Sequence, residues 1–371
     1  MSDTPKLYIA GMGMITPVGF DTASTTAAVR AGVNAYAISN FYAKNNEPIT
    51  MASVPGLMSD EIDADIGEGS RFNPRHDRVV KMAIIALREA CAKQTTQQPI
   101  PLVLAMPEGQ NDVEGLVPLI PTLEQNCKPW VSVQQTRSIY SGRAGGIEAI
   151  DFAFRYLYDL PNDFLLIGGS DSYRDAARLT PLDDAGRLKL PGSQDDFVPG
   201  EAGCFLLLTK KPALALARNG HIISLSPPGI DDEPGHLYSK EPYRGDGLDQ
   251  AFKKALNSHT QPNSIHSIYG SMNGENHWAK EYGAAYIRNR SVFKDPVGIE
   301  HPADCYGDLG SATAPVLIAL AAEHLFNDTK ARAHLVYSSS DKARRGAIIV
   351  EKTANERNAT PAISHQRISH F

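Results

Sequence analysis

The run TRSIYSGRAGGIEAIDFAFRYLYD, residues 136–159, places the hydroxyls of Ser138 and Ser141 just ahead of a cluster of small residues. Ile147, Ile150, Phe154 and Leu157 then follow at helical spacing. A strand that turns sharply into a helix through small residues is a common carrier of a nucleophile. A substrate can approach the helix N-terminus there, and free N–H groups can stabilise developing negative charge. No cysteine stands at this turn, so acyl transfer would fall to a serine, which needs an adjacent base. A second arrangement uses Cys305 as thiolate with His301 as its base, if the two come within about 3 Å. Pro302 favours an extended segment that separates them, so a buried thiol beside an incidental histidine is the preferred reading. His277 is a further candidate. Lys342, Arg344 and Arg345, in SSSDKARRG at 338–346, could meet an anionic ligand or an acidic partner face, although a solvated loop is preferred.

These residues need elements to hold them. Apolar, β-rich runs (KLYIAGMG, PLVLAMP, DFLLIGG, CFLLLTK, HIISLSP, SIHSIYG, HLVYSSS, GAIIVEK) alternate with helical patterns at 77–93, 143–157, 248–256 and 311–325. The alternation predicts an α/β fold with helices covering a mostly parallel sheet. The stretch SGRAGGIEAIDFAFRYLYDLPNDFLLIGGSDS parallels SATAPVLIALAAEHLFNDTKARAHLVYSSSDKA, and each precedes a further strand. An offset of about 170 residues is too long for a solenoid repeat and predicts a duplicated domain. We divide the chain into halves at 1–211 and 212–352 with a polar tail at 353–371. Residues 312–322 carry no charge but are too short to span a bilayer, and predict a wholly buried helix with Pro315 in its first turn. Residues 231–247 read as a surface loop.

Composition narrows the function classes. The 371 residues are 42% hydrophobic with a formal charge of −6, which supports a large core and offers no electrostatic footprint for nucleic acid or an anionic membrane. No secretory signal pattern opens the sequence, so the expected location is cytoplasmic. Cys91, Cys127, Cys204 and Cys305 form no C-x-x-C pair and are expected to be free, buried thiols, with neither a disulfide framework nor a metal site. GMGMITPVG fails the dinucleotide fingerprint because Thr16 stands where its third glycine belongs. No cofactor is expected.

In order along the chain, IAGMGMITPVG, AAVRAGVNAYAISNF, HDRVVKMAIIALREACAK, DDFVPGEAGCFLLLTK and CYGDLGSATA resemble segments of the β-ketoacyl-acyl-carrier-protein synthases of the thiolase superfamily. The resemblance implies two similar five-stranded halves in an α-β-α-β-α sandwich. It also implies a homodimer, or a heterodimer with a ketosynthase-like partner, and possible contact with an acyl carrier protein. The family acylates a cysteine and uses two histidines in decarboxylation and enolate stabilisation. Aligned on Ser141-Gly142, the cysteine position falls on Ile139; with one inserted residue it falls on Ser138. The histidine positions fall on Tyr269 and Gly307. The resemblance therefore implies a degenerate member without the Cys-His-His set, acting as a binding or assembly partner. The alternative is an acyltransferase of the 3-oxoacyl-acyl-carrier-protein synthase type with a rebuilt site, using Ser138, Ser141 or Cys305.

Overall fold

The computed structural model describes residues 4–57, 73–114, 116, 118–257, 259 and 263–355. The first half runs β1 (Leu7–Ile15), α1 (Thr22–Arg30), the hairpin β2 (Tyr36–Tyr42) and β3 (Pro48–Ala52), α2 (Pro74–Ala90) and β4 (Leu102–Ala105). It continues with α3 (Gln110–Glu114), α4 (Leu119–Asn126), β5 (Thr136–Ile139), α5 (Gly145–Asp159), β6 (Leu165–Ser172), α6 (Ala176–Asp184) and β7 (Glu201–Thr209). The second runs β8 (Ala217–Arg218), β9 (His221–Leu225), β10 (Gly229–Asp232), α7 (Asp246–Asn257), β11 (Ile265–Gly270), α8 (Asn276–Asn289) and β12 (Phe293–Glu300). It ends with α9 (Ala303–Tyr306), α10 (Thr313–Asn327), β13 (Ala333–Ser339) and β14 (Arg344–Ala354).

Strand order makes the duplication visible. One path runs β1-β7-β6-β4-β5 and the other β9-β14-β13-β11-β12, and the two join where Leu7 pairs with Leu225 and Tyr8 with Ser224. Within each, two parallel pairings lie toward the outer edge and antiparallel pairings toward the junction, so the sheet is mixed rather than mostly parallel as the alternation of strands and helices predicts. The large central core combines apolar residues of α5 and α10 with inward-facing side chains of both sheets. A second core packs α2 and α4 on the outer face of the first sheet, and a third packs α7 and α8 on the outer face of the second. Five layers result, as implied by the family resemblance.

Local chemistry sets the helix starts. Asn73 caps α2 by accepting from the His76 N–H at 2.7 Å, with Pro74 in the first turn. The helix thus begins ahead of the predicted residue 77. Asp175 caps α6 in the same manner. In α10, nearly every side chain is buried and Pro315 lies in the first turn, as the charge-free run predicts. There α10 meets α5 so closely that a Cβ on Gly146 would lie 2.5 Å from Pro315 Cδ.

Some expectations need correction. Residues 231–247 are not all loop: β10 pairs with β14 through Asp231↔Arg345 and Asp232↔Arg344, and α7 starts at Asp246. The strand β14 extends to Ala354, past the expected start of the tail, and residues 356–371 lie outside the described residues. We keep the division between halves at 211/212 as a proposal; a single 3-10 turn, Pro212–Leu214, follows β7 there. Among the described residues no helix is long and apolar enough to cross a membrane.

Candidate functional site

In each half a left-handed glycine opens the turn into the central helix. After β5, Gly142 (φ 51°) opens a 3-10 turn, Gly142–Ala144, that feeds α5; Gly310 (φ 54°) opens Gly310–Ala312 ahead of α10. A side chain at either position would be strained. Between these elbows lies a cleft of about 340 Å³, lined by Glu108, Arg143, Tyr173, Ser311, Tyr238 and Lys342 among others.

Paired charges hold the cleft floor. Arg143 donates to Asp308 Oδ2 at 2.5 Å, to Asp341 Oδ1 at 2.6 Å and to the Ser339 carbonyl at 2.9 Å, and its guanidinium lies 4.3 Å from the Trp278 ring centre. Arg187 forks onto Glu275 at 2.6 and 2.8 Å and reaches Asp341 Oδ2 at 2.7 Å. Asn273 donates to Asp308 at 2.9 Å, and Gly310 N–H donates to the other oxygen of Asp308 at 2.8 Å. Beside this set, Asp171 accepts from Arg75 and Arg178 and from the Ser311 N–H at 3.0 Å. Burial opposes the ionisation of Asp341, yet Arg143 and Arg187 hold its carboxyl well below the usual carboxylate range. Burial likewise opposes ionisation of Asp171, and Arg178 and Arg75 outweigh it. Such an arrangement is a closed lattice of compensated charge, because each buried ion has a hydrogen-bonded counter-ion.

The predicted residues are dispersed around this lattice. Ile139 is half-buried at the end of β5 and packs against the central core, and its carbonyl accepts from Met106 N–H at 2.8 Å. Ser138 sits on β5 opposite Leu104. Ser141 directly precedes the first elbow, and its hydroxyl donates to Glu148 Oε2 at 2.5 Å, with Arg344 Nε 3.5 Å from that same oxygen. Tyr269 lies on β11 within the central core and donates to or accepts from His324 Nδ1 at 2.7 Å, away from the cleft lining. Gly307 has φ 75°, and a Cβ there would fall 2.4 Å from the Val198 carbonyl oxygen, so the backbone excludes any side chain at this position.

His277 is half-buried with its ring against Tyr243, 4.3 Å between centres, and burial together with Arg345 lowers its pKa to about 4. The segment after His301 is helical rather than extended: Pro302 has αR geometry as the cap of α9, because a proline fits the first turn of a helix. Even so, His301 is exposed while Cys305 is buried, and burial with Asp304 nearby pushes the Cys305 thiol up. Burial pushes Cys91 and Cys127 up to about 12 and Cys204 well above its usual value. All four are free and buried, and burial favours the neutral thiol over the nucleophilic thiolate.

The basic run does not form a solvated loop. Arg345 is fully buried, bonded to Glu281 at 2.6 Å and to the carbonyls of Ser340 and Lys342, and so is closed to an outside ligand. Arg344 turns toward Glu148 and Asp232, while Lys342 remains exposed on the cleft rim and donates to the Glu108 carbonyl at 3.3 Å. Burial, with Asp341 nearby, raises the carboxyl of Glu108 above its ordinary value.

The sequence reading passed over Arg143, Arg187, Asn273, Glu275, Asp308 and Asp341. A signal did exist for two of them: SGRAGG and YGDLGS each place one charge inside a small-residue turn, and the charges have opposite sign. Among the described residues no cluster of His, Cys, Asp or Glu is arranged to hold a metal ion.

No protein-family model matches the sequence, and no curated protein matches it. Solved structures do match in three dimensions. The ishigamide ketosynthase/chain length factor aligns with a TM-score of 0.72 at 16% identity, over 94% of this chain and 99% of that one. The ketosynthase from module 6 of the bacillaene synthase of Bacillus subtilis 168 aligns with a TM-score of 0.74 at 14% identity, over 93% and 72%. A type II polyketide acyl-carrier protein in complex with its ketosynthase, AntDE:AntF, aligns at 0.72 and 13% identity, over 94% and 99%. With the duplicated sheets, the paired central helices and this overlap in hand, the chain has the thiolase-like fold of the ketosynthases.

Proposed function

We propose that this chain is a ketosynthase-like protein without condensing activity that serves as a binding or assembly partner. The observation that carries the reading is the Arg143–Asp308 pair on the cleft floor, with Asp341 closing its far side. Ionised side chains occupy the place between the elbows where an acyl group would need a thiolate and neutral imidazoles, and the four thiols lie buried elsewhere. Ile139, Tyr269 and Gly307, the positions matched to the family's nucleophile and histidines, supply none of that chemistry.

The partner is a ketosynthase-like chain, in keeping with the ketosynthase/chain length factor pair among the structural neighbours, and a carrier protein is a further candidate. Among the described residues the short edge strand β5 has a paired strand on one side only, and exposed Val133 and Tyr140 flank it. An unpaired edge invites a second strand. The compartment we assign is the cytoplasm, where free thiols persist.

Incubation with acyl- and malonyl-thioesters tests the reading. It requires an unmodified intact mass and no release of carbon dioxide; a stoichiometric adduct or decarboxylation ends it. Co-purification from cells supplies the second arm, and recovery of this chain alone removes the heteromeric form.

One contact favours the alternative acyltransferase. The Ser141 hydroxyl donates to Glu148 just before the N-terminus of the 15-residue helix α5, with Arg344 behind the carboxylate. In that reading Glu148 is the base and Ser141 the acylated group, and an adduct lost in Ser141→Ala identifies it.

A further inference from the structure

The two elbow glycines share a second feature: a carboxylate packs where each lacks a side chain. A Cβ on Gly310 would collide with Asp171 Oδ2, and a Cβ on Gly142 would lie 2.9 Å from Glu108 Cγ and 3.4 Å from Glu108 Oε2. The two carboxylates are provided for unequally. Asp171 accepts from Arg75, from Arg178 and from the Ser172 and Ser311 N–H groups. Among the described residues the Glu108 carboxylate accepts one hydrogen bond, from the Lys342 N–H at 3.3 Å. Four positions on, the Asp112 carboxylate accepts none, and its ion pair with Arg178 Nε is long, at 3.8 Å.

The donors of the cleft are engaged elsewhere. Arg143 and Arg178 give theirs to Asp308, Asp341, Asp171 and the carbonyls of Ser339 and Ser172. Lys342, on the rim, directs its ammonium to the Glu108 carbonyl and not to the carboxylate. In the lining, Glu108, Asp112, Asp171 and Asp341 outnumber Arg143, Arg178 and Lys342. Asp341 adds to burial in raising the Glu108 carboxyl, as a neighbouring like charge must. Ser311 also lines the cleft, and its fully buried hydroxyl has no hydrogen-bond partner among the described residues. What the cleft leaves open is therefore acceptor capacity, since an ionised carboxylate can only accept. Pro181 and Leu182 of α6 give the same cavity an apolar side.

We propose that the cleft is a binding site for a small organic amine in its ammonium form, with the head held by Glu108 and Asp112 and the apolar part laid against Pro181 and Leu182. The inference goes beyond the partner reading, because it concerns a small molecule inside the chain and not a protein on its surface. An ammonium supplies donors without acceptors, which complements what Glu108, Asp112 and Ser311 present. A carboxylate ligand would add a further negative charge beside Glu108 and Asp341 and find Lys342 as its cation. A cavity of about 340 Å³ with an apolar side and a few convergent polar groups is the usual form of a small-molecule site.

Three probes with one alkyl chain and different heads test the site on the full chain. Hexylammonium, hexanoate and 1-hexanol are each titrated near neutral pH and followed by ligand-observed NMR. Hexylammonium is expected to bind about tenfold more tightly than hexanoate, with the alcohol between them. Glu108→Gln should weaken hexylammonium about tenfold. Lys342→Met, at an exposed position, should tighten hexylammonium and weaken hexanoate. If Glu108→Gln does not fold, Asp112→Asn takes its place, because that carboxylate holds no hydrogen bond among the described residues. Hexanoate binding as tight as hexylammonium, or no saturable binding of hexylammonium, overturns the proposal. Hexylammonium binding indifferent to Glu108→Gln and Lys342→Met overturns it too, and places the amine on the general surface of a chain of formal charge −6. None of these titrations bears on the thioester and co-purification tests above, so the two proposals fail separately.

Discussion

Arg143 and Asp308 meet at 2.5 Å across the junction of the two halves, one from each elbow, and both are almost fully buried. An ion pair this deep gains little over an apolar pair of the same volume, because both charges lose their hydration. Breaking it leaves one ion without compensation.

Asp308→Ala is therefore expected to destabilise the protein by about 3–5 kcal/mol, seen as a lowered denaturation midpoint. Arg143→Met combined with Asp308→Leu should recover most of that loss, since both charges leave together. Double-mutant additivity in urea denaturation would contradict the pairing.

Backbone geometry at Gly307 makes a second expectation. Gly307→Ala meets the Val198 carbonyl and a left-handed φ, whereas Gly192→Ala has a similar φ of 76° with nothing within 4 Å. The first should lower the melting temperature clearly more than the second, and Gly307→His should fail to give folded protein. Equal effects of the two alanines would show that the Val198 contact carries no weight.

Acid sensitivity follows from His334. Its ring is buried, both nitrogens lack a hydrogen-bond partner among the described residues, and the His324 and Tyr269 rings lie 4.7 and 5.4 Å away. Burial, with further lowering by His324, His266 and Lys352 against Asp328, brings its pKa from 6.5 to about 3. The unfolded ring takes a proton that the folded ring refuses, so this contribution to stability is present above pH 6.5 and is lost as pH falls towards 3. His334→Leu should flatten that part of the stability profile and, by removing unsatisfied polar atoms, raise stability by about 1–3 kcal/mol. An unchanged slope would assign the acid response to other groups.

The edge strand gives a fourth. If β5 receives a partner strand, Tyr140→Asp should shift the mass in light scattering from dimer to monomer while the melting temperature of the monomeric unit holds. A dimer of unchanged affinity would move the interface elsewhere.

How much of this was legible in the sequence depended on whether a residue's environment is set locally. Most residues of KLYIAGMG and DFLLIGG and all of the 312–322 run are buried, and their continuous apolar character marks β1, β6 and α10 directly. The strands β5 and β12 lie at sheet edges, where exposed positions such as Arg137 and Lys294 break the pattern, and both were missed. The cleft was harder still. Its counter-ions come from distant positions, with Arg143 and Asp341 on neighbouring turns only after the duplicated halves fold together, so spacing along the chain says nothing of their pairing. Arg345 illustrates the converse: within a charge run read as solvated, this one residue is buried because Glu281, on α8, lies beneath it.

The crossing of α5 over α10 has an evolutionary corollary. Where Gly146 presses on the Pro315 ring, no atom can be added to one copy without removing one from the other. Two halves that began as equals have thus become each other's mould at this point, and a chimera that exchanges either half with a relative must bring a matching pair of residues at the crossing or lose the seam.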